Sequence, residues 1–523
     1  MNPLASNQPV LRVLTLVSAL SLIVLLVACG SSNSNPPTNP VGFSTSSLSG
    51  TYVFTSQGYD AVQGLPLNIA GVLVADGNGS LTSGTIDIVG PDVSEPSPIG
   101  QPLTGSYTVS SDGRGKATLK SSYTTFGLDF VLSSSSHGLV TEFDGNGGGS
   151  GTLDLQTTPI TSLSQLAGPF AFSLAGADSN DNSFATEGAF TLGSNGSSTA
   201  GVEDFNDAAN VIPNVALSAT ATVGSGTGPG TLTLSTANFV LTFDYYAIDA
   251  THLKLIETDL NQALAGDVFT QTGATIPTGT SVFSMSGGVS GPLANAGFLS
   301  YDGNTFTGTE DVNNNGTTLS QLGFTGIPSA VGPVGGRLIV NLSGFDPATQ
   351  WVLYPSSGGV LLLETDSSNI SIGAAYAQQS GAALASTQAY GMNLSAFNTT
   401  NSYAENDIAQ FTTASNAFTG VVDISDNYGN GDVLASQTLA GSYTLDTPST
   451  GRGEATTTAN GVSYVNFNFY AVNASQFLIL ETDSNQIGAG VLQSQTPPSG
   501  SVAQARVLIV HPIVRPHGAL KRK

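Results

Sequence analysis

The chain has 523 residues, only 9% of them charged, and its 36 acidic and 12 basic side chains give a formal net charge of −24 at pH 7. An acidic surface of this kind repels nucleic acid and anionic lipid, so we expect no nucleic-acid partner. The single cysteine excludes a disulfide within the chain. The apolar content of 40% is enough for several packed cores and is not typical of a disordered chain.

The first 28 residues have the pattern of a secretory signal peptide. They hold no acidic residue, one basic residue (Arg12) and an apolar run from Val13 to Val27. This run is shorter than the roughly 20 apolar residues that a membrane-spanning helix needs, and it ends on small residues. We therefore expect residues 1–28 to be removed from the mature protein.

The segment Leu26-Val27-Ala28-Cys29-Gly30 resembles the lipobox of bacterial lipoproteins. The resemblance implies cleavage before Cys29, acylation of its thiol and attachment to a lipid bilayer. Gly30 is not the acidic residue that tends to retain members of this family at the inner membrane, which favours the outer membrane or the cell surface. Residues 29–47 carry no charge and are rich in Ser, Asn and Pro, which indicates a flexible tether. The alternative is an ordinary secretory signal that contains a cysteine by coincidence.

Two sequence markers recur four times after the tether. One is an apolar strand that ends in Glu-x-Asp, with glutamates 115, 107 and 117 residues apart, and the other is Gly-x-x-Asp with a nearly equal step. The first marker comprises Glu142 and Asp144, Glu257 and Asp259, Glu364 and Asp366, and Glu481 and Asp483, and the second ends at Asp87, Asp204, Asp311 and Asp423. Such a period predicts four tandem domains.

Each repeat shows about eight short strands separated by Asp-Gly, Asn-Gly and other turn signals. Strands joined by local hairpins most simply form an antiparallel up-and-down barrel, with a β-sandwich as the alternative. We therefore predict an all-β chain of four barrel-like domains. Their expected bounds are 48–157, 166–272, 279–381 and 387–497, followed by a basic tail over 498–523.

The first repeat is similar to the strand and turn pattern of avidin-like barrels. The similarity rests on Gly50-Thr-Tyr, Ala75-Asp-Gly, Leu103-Thr-Gly-Ser-Tyr and Asp112-Gly-Arg-Gly. It implies an eight-stranded barrel. It does not imply biotin binding, because the ligand-stacking tryptophans of that family have no counterpart here and the sole tryptophan is Trp351.

Catalysis finds little support in the residue pattern. His137 and His252 are the only histidines in the body of the chain, and the third and fourth repeats have none at that place. A glycosidase needs only two carboxylates. The presence of an equivalent Glu-x-Asp pair in each of the four repeats instead indicates a structural role that the repeats share. We predict no enzymatic activity and assign these carboxylates to hydrogen bonds between strands. Arg114 and Arg452 are the basic residues that recur in register, in two repeats only.

Three oxygen-rich segments suggest calcium as the one possible cofactor. Asp311, Asn313 and Asn315 follow the first half of an EF-hand loop, although Leu322 stands where the closing glutamate would be. The second segment contains Asp423, Asp426, Asn427, Asn430 and Asp432, and the third contains Asp178, Asn180, Asp181 and Asn182. The alternative is that Asp, Asn and Gly serve only as turn formers.

The sequence thus predicts a lipid-anchored protein of the cell envelope with a structural, binding or adhesion role. The partner is an unknown protein, glycan or small ligand. A small-ligand or glycan-binding barrel is the second hypothesis, and it would need an open mouth lined by aromatic residues, for which Tyr245, Tyr246 and Tyr470 are the candidates. A carboxylate-based hydrolase is the third.

Overall fold

A computed structural model gives the fold of the chain. It describes residues 42–60, 64–90, 98–226, 228–259, 262–273, 275–330, 336–344, 349–426, 433–446, 450–498 and 508. The signal segment, Cys29 and most of the basic tail lie outside these residues. Within the described ranges the secondary structure consists of β-strands and two short 3-10 helices, Thr45–Ser47 and Leu163–Leu166. None of the helices described is long and apolar enough to cross a membrane.

The described strands form four antiparallel barrels in tandem, as the sequence predicts. Barrel 1 contains β1 Ser49–Asp60, β2 Pro66–Asp76, β3 Ser80–Val89, β4 Gln101–Pro102, β5 Thr104–Val109, β6 Arg114–Lys120, β7 Thr125–Ser134, β8 His137–Glu142 and β9 Gly147–Leu155. Barrel 2 contains β10 Gly168–Ala177, β11 Ser183–Leu192, β12 Ser198–Asp207, β13 Asn210–Ala216, β14 Ser218–Ala221, β15 Gly230–Ser235, β16 Val240–Asp249, β17 His252–Glu257 and β18 Ala263–Thr270.

Barrel 3 contains β19 Gly279–Gly287, β20 Leu293–Tyr301, β21 Phe306–Asn314, β22 Thr317–Ala330, β23 Leu338–Ser343, β24 Thr349–Ser356, β25 Gly359–Glu364 and β26 Ser371–Ala377. Barrel 4 contains β27 Ala389–Asn398, β28 Tyr403–Ala414, β29 Ala417–Asp426, β30 Val433–Leu445, β31 Arg452–Ala459, β32 Val462–Asn473, β33 Gln476–Glu481 and β34 Gln486–Ser494. Each barrel has eight strand positions. In barrel 1 the short strands β4 and β5 share position 4, and in barrel 2 the short strands β13 and β14 do so.

Pairing between the first and the last strand closes each barrel. Strands 1 and 8 pair in all four of them. In barrel 2, strand 3 pairs with β13, and the β14 part of strand 4 meets the segment before strand 3 at the isolated bridge between Ser197 and Thr220, so this barrel is nearly closed. Strand alternation turns one set of side chains inward, and these fill the interiors with apolar and aromatic groups such as Phe172, Trp351 and Phe469.

The two ends of each barrel differ. We call the end where strand 1 turns into strand 2 the acidic end, because the Glu-x-Asp marker closes strand 7 there. The opposite end is the tether end: Gly42 and Phe43, which belong to the last part of the predicted tether, donate their backbone N–H groups to Ser111 O in the turn between strands 4 and 5 of barrel 1.

Every barrel packs on the next one in the same way. Strands 1 and 2 of one barrel lie against strands 6 to 8 of the following barrel at the joints 1–2, 2–3 and 3–4. Strands 1 and 2 of barrel 4 lie likewise against strands 6 to 8 of barrel 1. A head-to-tail contact that repeats and closes generates a ring. The four barrels therefore form a closed ring within one chain.

A glutamine directly after strand 8 marks each joint at the tether end. These residues are Gln156, Gln271, Gln378 and Gln495, and they keep the spacing of 115, 107 and 117. The backbone N–H of the following residue donates to the next barrel: Thr157 to Ile248 O (2.9 Å), Thr272 to Pro355 O (3.3 Å), Gln379 to Val472 O (2.7 Å) and Thr496 to Ser133 O (2.7 Å). The contact that closes the ring thus has the same form as the three contacts between consecutive barrels.

An asparagine side chain of each barrel also crosses the joint to the next barrel. Its amide donates to a backbone carbonyl of the next barrel: Asn68 to Ala263 O (2.9 Å), Asn206 to Glu364 O (2.8 Å), Asn313 to Glu481 O (3.0 Å) and Asn393 to Val140 O (3.1 Å). Asn206 and Asn313 reach the carbonyls at the end of strand 7, which is the acidic end of the neighbour. Adjacent barrels therefore align acidic end with acidic end.

Candidate functional site

The aspartates of the Glu-x-Asp marker have one role in all four barrels. Each accepts the backbone N–H at the start of strand 6: Gly127 N to Asp144 (3.0 Å), Thr242 N to Asp259 (2.7 Å), Gln350 N to Asp366 (3.4 Å) and Asn466 N to Asp483 (2.8 Å). These N–H groups would otherwise lack a partner where the strand begins. The carboxylates act as caps for strand 6.

The glutamates of the same marker are buried inside the acidic ends. Burial raises the pKa of Glu364 to about 8 and that of Glu257 to about 10, and it holds the pKa of Glu142 and Glu481 well above the ordinary value. Glu364 accepts a hydrogen bond from Ser371 Oγ at 2.6 Å. Burial therefore favours the protonated form of these side chains and encloses them within the barrels.

Two further buried acids, Glu203 and Glu310, occupy the same register, each directly before the aspartate of a Gly-x-x-Asp marker. Burial raises the pKa of Glu203 to about 8 and that of Glu310 to about 7. In barrel 4, Asp407 accepts a hydrogen bond from Tyr464 and Glu405 accepts one from Gln486 at 2.7 Å. Burial thus favours the protonated form of several carboxyl groups in barrels 2, 3 and 4.

The aspartates of the Gly-x-x-Asp marker each stabilise a bulge in strand 4. Their Oδ1 atoms accept the backbone N–H of Gly100 (2.5 Å), Asn214 (2.9 Å), Gln321 (2.6 Å) and Ser436 (2.5 Å). All four donors have a positive φ, between 52° and 63°. A left-handed residue in a bulge bends the strand, and the aspartate holds it there.

The second oxygen of this aspartate reaches across the joint. Asp204 Oδ2 accepts the hydroxyl of Tyr354 at 2.5 Å, and Asp87 Oδ2 accepts that of Tyr246 at 2.8 Å. Asp311 accepts the hydroxyl of Tyr470. One side chain thus ties its own strand 4 to strand 6 of the next barrel.

Arginines reinforce two of these joints. Arg337 binds Asp204 through Nε (2.7 Å) and Nη2 (2.6 Å), and Arg452 Nε binds Asp311 at 2.8 Å. Arg337 shares the register of Arg452 and Arg114, so the sequence reading of two recurrent arginines was incomplete. It missed Arg337 because the Gly-Arg-Gly pattern reads Gly336-Arg337-Leu338 in the third repeat. Arg114 turns instead to Asp112 in its own barrel, at 3.0 Å.

The joint between barrels 4 and 1 has different side chains at this place. Val131 occupies the register of the tyrosines, and Asp423 faces Asp129 instead. Burial raises the pKa of Asp129 to about 6, while Lys116 lies 2.8 Å away and opposes that rise.

The residues of the calcium hypothesis are placed mostly at the joints. Asp311 and Asn313 lie on β21 and engage barrel 4, and Asn315 is a left-handed residue in the following turn. Asp423 binds Ser436, and Asp426 ends β29. Asn427, Asn430 and Asp432 lie outside the described residues.

The third segment forms a hairpin turn in which Asp178 accepts the N–H groups of Asn180 and Asn182, each at 2.8 Å, beside the left-handed Asp181. In the part of the chain that the structure describes, no group of three or more His, Cys, Asp or Glu side chains could hold a metal ion. Calcium binding remains a prediction.

The tyrosines of the ligand-barrel hypothesis do not line an open mouth. Tyr246 and Tyr470 are buried in the joints, and Tyr245 packs in the core of barrel 2 with its hydroxyl on Thr222 O. The two histidines are likewise buried, with His137 2.7 Å from Asp154 and His252 2.5 Å from Asp267. Among the described residues, most side chains singled out by sequence make hydrogen bonds or pack within the barrels and across the joints.

Exposed apolar side chains concentrate at the acidic end. Among the described residues, the large exposed ones at or beside the turns of that end are Tyr123, Val240, Leu319, Val433, Leu434 and Val462. Two others, Ile327 and Leu445, lie nearer the tether end. Because the interiors and the joints are buried, these turns carry most of the large apolar side chains that stay exposed among the described residues.

No protein-family model matches the sequence, and no curated protein matches it. Among solved structures, the chain is similar to isotype 1 transferrin binding protein B from serogroup B Neisseria meningitidis, with a TM-score of 0.20 and 10% identity over 68% of this chain and 83% of that chain. A mutant of transferrin binding protein B from Haemophilus parasuis Hp5 gives a TM-score of 0.20 and 10% identity over 86% of this chain and 95% of that chain.

Proposed function

We propose that this chain is a lipid-anchored protein of the bacterial cell surface that uses its ring of barrels to present the acidic ends to an outside protein. Cys29 carries the lipid, and the predicted tether links it to the ring. The role is binding or adhesion without catalysis.

The observation that carries this proposal is the opposite placement of tether and exposed apolar turns. Gly42 and Phe43 meet barrel 1 at its tether end. Val240, Val462 and Leu434 are 57%, 69% and 49% exposed at the acidic ends of their barrels. Exposed apolar groups on a folded surface mark interaction sites when they are grouped. A tether on one face therefore leaves the other free for a partner.

The anchor is tested by labelling cells that express the full chain with radioactive palmitate. The wild-type chain should take up label and fractionate with membranes, and Cys29→Ala should take up none. Label on the Cys29→Ala chain would contradict the anchor.

The binding face is tested on cells that display the full chain, by measuring their retention on an array of purified extracellular proteins and glycans, with and without calcium. We expect retention on proteins that is lost in the triple variant Val240→Ser, Leu434→Ser, Val462→Ser. The matched control Ile327→Ser, Leu445→Ser changes exposed apolar residues nearer the tether end and should keep it. Retention on glycans alone, or equal retention by all three chains, would contradict the proposal.

A further inference from the structure

The joint between barrels 1 and 2 lacks the arginine found at two other joints. Gly230 pairs with Tyr245, so Pro229 stands opposite Tyr246, where Arg452 stands opposite Tyr470 in barrel 4. Asp87 therefore meets the next barrel without the guanidinium that its counterparts Asp204 and Asp311 bind.

A second carboxyl group takes the place of the arginine. Asp244 lies two residues before Tyr246 on the same face of β16 and faces Asp87 across the joint. Asp87 and Asp244 are 0% and 7% exposed. Two buried carboxyl groups in contact share a proton, because both cannot ionise cheaply at such a distance.

We propose that the joint between barrels 1 and 2 is a proton-dependent latch, closed while Asp244 donates a proton to Asp87 and loosened when that proton is lost. Asp87 already accepts hydrogen bonds from Gly100 N and Tyr246 Oη through its two oxygens. These bonds favour the ionised form of Asp87, which makes Asp244 the group that carries the proton.

The side chains around Asp87 and Asp244 give little stabilisation to a second negative charge. Apolar side chains cover the joint on both sides: Val53, Ala70, Val72, Val89, Ile248 and Ile256. On β16 and its neighbours, Asp244 lies between Thr231 and Ile256.

Two other charged groups described at this joint, Lys254 and Asp154, are already paired. Lys254 lies opposite Tyr246 on β17 and is held 2.7 Å from Asp267, which His252 also contacts. Asp154 of barrel 1 pairs with His137. Of the described residues on these strands, Lys254 is thus the one lysine, and it serves another carboxylate.

The direction of the pH effect follows from the proton count. Burial raises the pKa of Asp244 to about 7 and raises that of Asp87, whereas an aspartate freed by separation titrates at about 4. The closed joint therefore binds one proton more than the open joint between about pH 4 and pH 7. Opening becomes easier as pH rises through that window and levels off above it.

Hydrogen exchange measured by mass spectrometry on the full chain in detergent tests the latch. Peptides from β3 and β16 report the joint between barrels 1 and 2, and peptides from β12 and β24 report the joint between barrels 2 and 3 in the same molecules. The ratio of their protection factors removes the intrinsic effect of pH on exchange. We expect this ratio to fall by up to roughly 100-fold between about pH 5 and pH 7 and then to stay level.

Two variants distinguish the loss of the Asp244 proton from a general loosening of the joint as pH rises. In Asp244→Asn the amide still donates to Asp87 but does not titrate, so the ratio should stay constant with pH. Pro229→Arg places a guanidinium in the register of Arg337 and should also remove the fall. A constant ratio in the wild-type chain would overturn the proposal, and so would an equal fall in Asp244→Asn.

Discussion

Arg337 of barrel 3 and Asp204 of barrel 2 form a fully buried, two-pronged salt bridge, with side-chain exposures of 1% and 0%. The guanidinium donates Nε and Nη2 to the two carboxylate oxygens, and the Tyr354 hydroxyl adds a third hydrogen bond. Because Asp204 also holds the bulge at Asn214, one carboxylate couples the internal geometry of barrel 2 to its contact with barrel 3.

Removal of the arginine leaves a buried charge without its partner. We expect Arg337→Ala to lower the free energy of unfolding by about 3–5 kcal/mol. Lys116→Ala, which removes a lysine that is 57% exposed, should cost less than about 1 kcal/mol. Urea unfolding followed by circular dichroism compares the two variants, and similar losses would contradict the assignment of Asp204 as a structural centre.

The buried acids predict a chain that is more stable in mild acid. Glu364, whose pKa burial raises to about 8, keeps its proton in the folded state and loses it on unfolding above its ordinary pKa near 4.5. The folded state thus binds an extra proton between these values, and stability falls as pH rises through this window.

Trp351 pairs across the strands with Glu364 and is the sole tryptophan, so its fluorescence reports the unfolding of barrel 3. We expect the free energy of unfolding to drop by roughly 2 kcal/mol or more from pH 5 to pH 8. Glu364→Gln should show a smaller drop. Stability that rises over this range in the wild-type chain would contradict neutral acids at the acidic end.

The aspartates that cap strand 6 predict a graded loss of stability when the accepted hydrogen bond is weakened or removed. Asp483→Ala removes the acceptor for Asn466 N (2.8 Å) and should cost about 1–2 kcal/mol. Asp483→Asn keeps an oxygen acceptor and should cost less. Thermal unfolding of both variants checks this order, and equal losses would show that the charge, not the accepted hydrogen bond, matters.

Local patterns predicted much of the fold. Hairpin signals and the period of Glu142, Glu257, Glu364 and Glu481 led to four barrels, because turns and strands are encoded by neighbouring residues. The calcium hypothesis arose because carboxylates and amides suit a cation as well as they suit backbone N–H groups. In the structure, Asp311 accepts hydrogen bonds from Tyr470 and Arg452. These partners lie far along the chain, so the local sequence does not predict them.

The joints were not predicted, although one signal was available. Gln156, Gln271, Gln378 and Gln495 recur with the same spacing as the glutamates, but a glutamine after a strand has no meaning until its carbonyl partner is known. Contact between Gln495 and Asp112 joins residues 383 apart, and such closure follows from the shape of the joint and not from local sequence.

Gln495 supplies polar contacts that close the ring at the tether end. Gln495 Nε2 donates to Asp112 O (2.7 Å) and Leu132 O (2.9 Å). We expect Gln495→Ala to increase hydrogen exchange in β7 and β34 by roughly tenfold, which corresponds to the loss of about one net hydrogen bond. Exchange in β12 and β24, at the joint between barrels 2 and 3, should be unchanged. An equal increase at both joints would contradict a local role for Gln495.

The closed ring itself is tested most directly by crosslinking. In a full chain with Cys29→Ser, the pair Ser111→Cys and Thr496→Cys flanks the contact between barrels 4 and 1, and a short bifunctional thiol reagent should join the two within one chain. The control pair Ser111→Cys and Thr272→Cys places the second thiol at the counterpart of Thr496 between barrels 2 and 3, and it should stay unlinked. Equal yields for both pairs, or links only between different chains, would contradict the ring.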